Sequence, residues 1–126
     1  MVDEKMFRLD GRPALVVGAG SGIGAAIAKG FAAVGAVVGC VDLDGDGAKE
    51  TVAAIEAQGG RAVAIACNVT DEAAVNAAVE TFRAAAGSPR ILVNGAAGHD
   101  RTGTILDIEP AEWNAVLAVN LTGPYL

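Results

Sequence analysis

The sequence predicts an α/β fold: a parallel sheet with helices on both faces. Three observations point there. Apolar, β-rich runs begin near Pro13, Val37, Ala62 and Arg90, with helical stretches between them. The first run enters a Gly-rich turn, Gly18 to Gly24, that opens an Ala-rich helix. The residues available for a core are small: 52% of the chain is hydrophobic but only 4% is aromatic, and 17 of its 126 residues are Gly. That composition suits strands buried on both faces and close helix–sheet contact.

The elements follow in order. A first strand covers about Ala14 to Val17. A first helix, about Gly22 to Val34, places Ile23, Ile27 and Phe31 at i, i+4 and i+8 and is expected to turn that stripe inward. Gly35 ends it in the left-handed region. A second strand runs from Val37 to Asp42. A second helix, about Gly45 to Gln58, points Val52 and Ile55 inward and closes at Gly59-Gly60. A third strand covers Ala62 to Cys67. A third helix, about Asp71 to Ala86, has Asp71 and Glu72 in its first turn, favourable to the helix dipole, and Val75, Val79 and Phe82 inward. Gly87-Ser88-Pro89 breaks the chain before a fourth strand, Ile91 to Asn94. A loop from Gly95 to Ile108 follows, with His99, Asp100 and Arg101 read as a polar stretch. Pro110 and Glu112 start a last helix that carries Trp113, Val116, Leu117 and Asn120. Gly123-Pro124 is expected to kink or end it. No linker or further repeat divides the chain, so residues 1–126 read as one domain.

The formal net charge is −6, and the nine Lys and Arg are scattered without a basic stripe. A nucleic-acid surface and an anionic membrane surface are therefore not expected. The first ten residues hold no apolar run of signal-peptide type. The most apolar longer stretch, Ala25 to Val38, is interrupted by Lys29, Gly30 and Gly35 and is too short to span a bilayer. A cytoplasmic protein is expected. Cys40 and Cys67 read as buried, reduced thiols; there is no CxxC and His99 is the single His, so no metal site is expected.

The Gly-rich turn supports three parsings. Gly18, Gly22 and Gly24 give G-x-x-x-G-x-G. Gly20, Gly22 and Ala25 give G-x-G-x-x-A. Gly18, Gly20 and Gly22 give the G-x-G-x-G of many methyl-donor sites. A strand before, a helix after and an acid closing the second strand together make a Rossmann-type dinucleotide site the leading reading. Ser21 and Ile23 complete the turn, whose backbone N–H groups suit a pyrophosphate. Asp42 lies 18 residues beyond Gly24. A carboxylate there can accept both ribose hydroxyls of an adenosine and repels a 2′-phosphate. Leu43 follows it, and no Arg or Lys stands at 43 or in the turn, so NAD is expected over NADP. Asn68-Val69 closes the third strand at the same sheet edge; it reads equally as an adenine contact or as a polar helix-entry turn. Asn94, Ala96 and Ala97, around Gly95, let backbone approach a ligand closely. Asn120 sits mid-helix, where Asn is a poor helix former. It reads equally as a core amide bonded to backbone or as a site amide holding a water or a helix distortion.

Taken together, Gly18 to Gly24, Asp42, Asn68-Val69-Thr70-Asp71, Leu92-Val93-Asn94-Gly95-Ala96-Ala97 and Trp113-x-x-x-Leu117-x-x-Asn120-Leu121-Thr122-Gly123 resemble the short-chain dehydrogenase/reductase family. The resemblance covers the chain from about Leu9. It implies hydride transfer between a nicotinamide cofactor and a small-molecule alcohol or carbonyl. Val17 stands where the family has a Thr whose hydroxyl braces the turn. Asn68 replaces the family's Asp. The Asn94-Gly95-Ala96-Ala97-Gly98 variant is similar to the dienoyl-CoA and enoyl-CoA reductase branch, whose usual NADP preference pulls against Asp42.

The family's mechanism uses Asn, Ser, Tyr and Lys, and of these Asn120 alone has a counterpart here. The fold is accordingly expected to be truncated after the fourth strand and following helix, and the chain alone is expected to lack efficient turnover. A strand order of 3-2-1-4 would leave strand four as an apolar edge. That edge, with a last helix that forms a dimer interface in the family, implies a homo-oligomer. A non-catalytic nucleotide- or partner-binding module and a methyltransferase are the alternative readings; the latter usually has an acid where Val16 stands.

Overall fold

The computed structural model describes residues 3–98 and 103–126. The loop segment with His99, Asp100 and Arg101 lies outside the described residues. Four strands form one parallel sheet in the order β3-β2-β1-β4: β1 (Pro13–Val17), β2 (Val37–Asp42), β3 (Arg61–Ala66) and β4 (Ile91–Asn94). Three helices, α1 (Gly22–Ala33), α2 (Gly45–Glu56) and α3 (Glu72–Ala86), connect them, and α4 (Pro110–Leu117) follows. The register aligns Val17 with both Val41 and Asn94, and Asp42 with Ala66. The carboxyl ends of the strands are therefore brought level at one edge of the sheet.

Side-chain alternation along the strands divides the core in two. On one face Ala14, Val16, Val38 and Cys40 meet Ala28 of α1 and Ala48 and Ile55 of α2. On the other, Leu15, Val41 and Ile65 meet Ala78 and Phe82 of α3. Phe82 is fully buried, and Gly39 makes its room: a Cβ on Gly39 would lie 2.7 Å from the Phe82 ring and 2.6 Å from Leu15. This is how a core nearly without aromatics accommodates one.

Three local expectations change. Ile23 is exposed, not inward; α1 instead buries Gly24, Ala25 and Ala28, because small residues let the helix lie close to the sheet. Asp71 precedes α3 rather than joining it, and its carboxylate accepts the N–H groups of Ala73 and Ala74, a helix cap. The last helix is interrupted before Gly123-Pro124: α4 gives way to a π-helical turn, Ala118–Thr122, and then to a single helical turn, Gly123–Tyr125. Cys40 and Cys67 are buried and unpaired with each other, Cys67 lying just past β3. Among the described residues no helix is long and apolar enough to cross a membrane.

Candidate functional site

The turn after β1 is bent by two glycines at positive φ, Gly18 at +80° and Gly22 at +51°, a region that disfavours any side chain. The N–H groups of Gly18 and Ala19 both donate to the Val41 carbonyl, at 2.8 and 3.0 Å. The turn is thereby tied to the end of β2. A Cβ on Gly18 would lie 2.7 Å from the Ala96 nitrogen, and one on Gly24 would run into the Gly18 carbonyl. Glycine is thus required where the turn meets the segment after β4 and where the first turn of α1 meets it. Ser21 precedes α1 without a side-chain cap, and no acid occupies the helix's first turn. The positive end of the α1 dipole is left without a side-chain counter-charge there.

Asp42 closes β2 with its carboxylate held on both oxygens. Oδ2 accepts the Gly20 N–H at 2.7 Å and Oδ1 accepts the Asp44 N–H at 2.9 Å. Gly20 has no room for a side chain: a Cβ would sit 2.8 Å from the Asp42 carboxyl carbon. Beyond β3, Asn68 Oδ1 accepts from the Thr70 N–H at 3.0 Å and from Thr70 Oγ1 at 2.8 Å. The Asn68 side chain therefore shapes the entry to α3 while the residue also borders the crevice. The Gly95 N–H donates to the Val17 carbonyl at 2.9 Å, carrying the β1–β4 ladder one residue past the strand.

These segments enclose one crevice of about 690 Å³. Gly18, Ser21, Gly22, Ile23 and Gly24 line one wall; Asp42 and Leu43 another; Asn68, Val69, Ala96 and Ala97 the rest. Three expected members sit elsewhere. Gly20 lies behind the wall, where its N–H holds Asp42. Asn94 shares a strand face with Leu92 and borders a neighbouring apolar groove of about 370 Å³ on the α3 side, because alternate residues of β4 point the same way. Asn120 does not line the crevice either. It lies within the π-helical turn, where its Nδ2 donates to the Gly98 carbonyl at 2.7 Å and its Oδ1 accepts the Gly98 N–H at 3.2 Å. It is an amide bonded to backbone, and it stands at a helix distortion. It pins the segment after β4 to the last helix, with Val119 beside it on the crevice wall.

Asp44, Cys67, Gly98 and Val119 also line the crevice and were not among the expected site residues. Asp44 carried a signal: an acid just ahead of a helix is a capping residue, and its Oδ1 accepts the N–H groups of Asp46 and Gly47. Burial, and then the Asp71 charge, push the Cys67 thiol up from its ordinary range, so it is held neutral.

The arrangement matches known proteins along nearly its whole length. The family model for short chain dehydrogenases matches residues 12–126. D-threitol dehydrogenase of Mycolicibacterium smegmatis is 43% identical over 120 residues, which is 95% of this chain and 46% of that protein. Two similar crystal structures are a 3-ketoacyl-(acyl-carrier-protein) reductase from Brucella melitensis complexed with NADH and a metagenomic short-chain oxidoreductase in complex with NADP. The first is 41% identical with a TM-score of 0.88, covering 94% of this chain and 48% of that one. The second is 38% identical with a TM-score of 0.86, covering 93% and 53%. The chain spans about half the length of each of these three proteins. A match over residues 12–126, on a four-stranded parallel sheet with a glycine-lined crevice at its carboxyl edge, places this chain in the short-chain dehydrogenase family.

Proposed function

We propose that this chain is the NAD-binding half of an oxidoreductase that interconverts small-molecule alcohols and carbonyls. One observation carries the cofactor preference: Asp42 stands on the crevice wall with both carboxylate oxygens oriented by backbone N–H groups. Among the described residues that line the crevice there is no Lys or Arg to offset it. A carboxylate so placed receives ribose hydroxyls and repels a 2′-phosphate. Relatives crystallised with NADH and with NADP support a nicotinamide cofactor in general.

The residues fit such a group. Glycine at positions 18 and 24, where a Cβ would strike backbone, keeps the turn tight against its neighbours, and the crevice wall it forms reaches the uncapped start of α1. In this reading Gly18, Ser21, Gly22, Ile23 and Gly24 hold the pyrophosphate, while Gly20 behind them holds Asp42. Asp42 and Leu43 take the adenosine ribose, Asn68 and Val69 the adenine, and Ala96 and Ala97 bring backbone to the nicotinamide end. When bound, the nicotinamide gives or accepts the hydride. Asn120 keeps Gly98, and with it the rim of that end, in place. Among the described residues, the titratable side chains on the crevice lining are Asp42, Asp44 and Cys67. Two are bonded to backbone N–H groups and the third is a buried thiol. The described residues of the crevice thus support a share in cofactor binding rather than in proton transfer to a substrate oxygen.

Self-association belongs to the same reading. Leu92 on edge strand β4, and Trp113, Leu121 and Tyr125 after it, are large apolar residues left exposed.

Calorimetric titration tests the proposal. NAD⁺ is expected to bind at least about tenfold more tightly than NADP⁺, the size of one charge-assisted interaction. Equal or tighter binding of NADP⁺ overturns the preference, and binding of neither overturns the cofactor reading.

A further inference from the structure

Thr51 is a hydroxyl in the wrong company. It lies on the inward face of α2 with Ala48 and Ile55, and is only 4% exposed. A Thr within a helix ordinarily returns its hydroxyl to the carbonyl four residues back. Thr51 Oγ1 instead donates to the carbonyl of Ala19, 32 residues away in the glycine turn, at 2.8 Å. The Ala19 carbonyl belongs to the same planar peptide as the Gly20 N–H. That N–H is the donor that holds Asp42 Oδ2 at 2.7 Å. One peptide unit is thus gripped at both poles, by a hydroxyl from α2 and by a carboxylate from β2.

The fit around this grip is close. A Cβ on Gly20 would strike the Asp42 carboxyl, and one on Gly47 of α2 would lie 2.8 Å from the Gly20 carbonyl oxygen. Val17, ahead of the turn, has no hydroxyl with which to hold it. Because the peptide is planar, freeing its carbonyl lets the whole unit rotate and carries the N–H away from Asp42.

We infer that Thr51 is a positioning residue for cofactor choice: its hydroxyl locks the Ala19–Gly20 peptide and so aims the Asp42 carboxylate into the crevice. This inference rests on the NAD reading above. It separates a role in aiming Asp42 from a role in packing. Loss of packing would weaken both dinucleotides alike, whereas loss of aim weakens the one that Asp42 receives.

Fluorescence titration of the purified protein with NADH and with NADPH tests it, using Thr51→Val, which keeps the side-chain volume, and Thr51→Ser, which keeps the hydroxyl. Thr51→Val is expected to raise the Kd for NADH about tenfold and that for NADPH less than about twofold, the effect of one lost hydrogen bond on one ligand. Thr51→Ser is expected to restore the wild-type ratio even though it removes a buried methyl. The inference is overturned if Thr51→Val binds NADH as wild type does, if both dinucleotides weaken equally, or if Ser behaves like Val. Failure of the wild-type protein to bind either dinucleotide overturns the underlying cofactor reading, and the role of Thr51 with it. Failure of the variants alone leaves that reading standing.

Discussion

Asp42 and Gly20 lie 22 residues apart and meet through one hydrogen bond, 2.7 Å from the Gly20 nitrogen to Asp42 Oδ2. The bond joins the acid that closes β2 to the turn that follows β1. It also explains why residue 20 is glycine, since a Cβ there would come within 2.8 Å of the carboxyl group. The turn and the acid therefore form one unit, with the backbone N–H groups of Gly20 and Asp44 fixing the direction of both oxygens.

Replacing Asp42 with Ala should change both binding and folding. NADH affinity is expected to fall at least about tenfold, since bonds to a charged group contribute roughly 1.5–3 kcal/mol. NADPH affinity should hold or improve once the carboxylate is gone. Parallel titrations of the two cofactors check this, and a fall of equal size for both would remove Asp42 from the selectivity argument.

Gly24→Ala should destabilise the fold itself. The new methyl would run into the Gly18 carbonyl, a backbone atom that the ties of Gly18 and Ala19 to Val41 keep from retreating. A loss of about 3 kcal/mol in urea unfolding is expected, the upper part of the usual range for point mutants. Gly30 makes a matched control, because a Cβ there meets nothing. Gly30→Ala should be neutral or mildly stabilising in the same assay.

Asn120→Ala removes both bonds to Gly98. The site is exposed, so the cost in stability should be modest, about 1 kcal/mol. The local effect should be larger: amide exchange at Gly98 is expected to accelerate while the amides of β1 and β2 keep their protection. Unchanged exchange at Gly98 would show that the segment after β4 is held by something other than this amide.

Alkaline pH should expose the buried thiol. Burial pushes Cys40 from its ordinary 9.0 up to about 11, so between those values the folded chain keeps a proton that the unfolded chain has lost. Its contribution to stability is complete below pH 9 and is lost as pH rises through 11. Cys67 shifts in the same direction through burial and then the Asp71 charge. Cys40→Val, with a side chain of similar size, should lose stability less steeply than wild type over that range. Urea midpoints measured at half-unit pH steps check this, and parallel slopes would contradict it.

Much of this was legible in the sequence because the signals are local. Gly18 to Gly24, Asp42 and the even spacing of apolar runs depend on chain geometry over a few residues, and they yielded the turn, the acid and the strand order. What was not legible depends on how closely elements approach. Ile23 belongs to an apolar stripe by spacing, yet α1 lies on the sheet through Gly24, Ala25 and Ala28, which leaves Ile23 on the crevice wall. Asn94 was placed by its neighbours in sequence, but strand alternation turns it toward the α3-side groove. Thr51 carried a quiet signal, a hydroxyl on the inward face of a helix, but its acceptor comes from an element 32 residues away. The π-helical turn at Asn120 has a residue of poor helix propensity to mark it, though not the bond to Gly98 that accompanies it.

The central claim is that NAD occupies the crevice at the carboxyl edge of the sheet. Amide chemical shifts of the ¹⁵N-labelled protein, followed during addition of NADH, test it most directly. The account expects shifts concentrated at residues 18–24, 42–43, 68–69 and 95–98, with residues 75–79 of the apolar groove unmoved and with NADPH giving weaker changes at equal concentration. Shifts centred on that groove, or stronger changes with NADPH than with NADH, would contradict it.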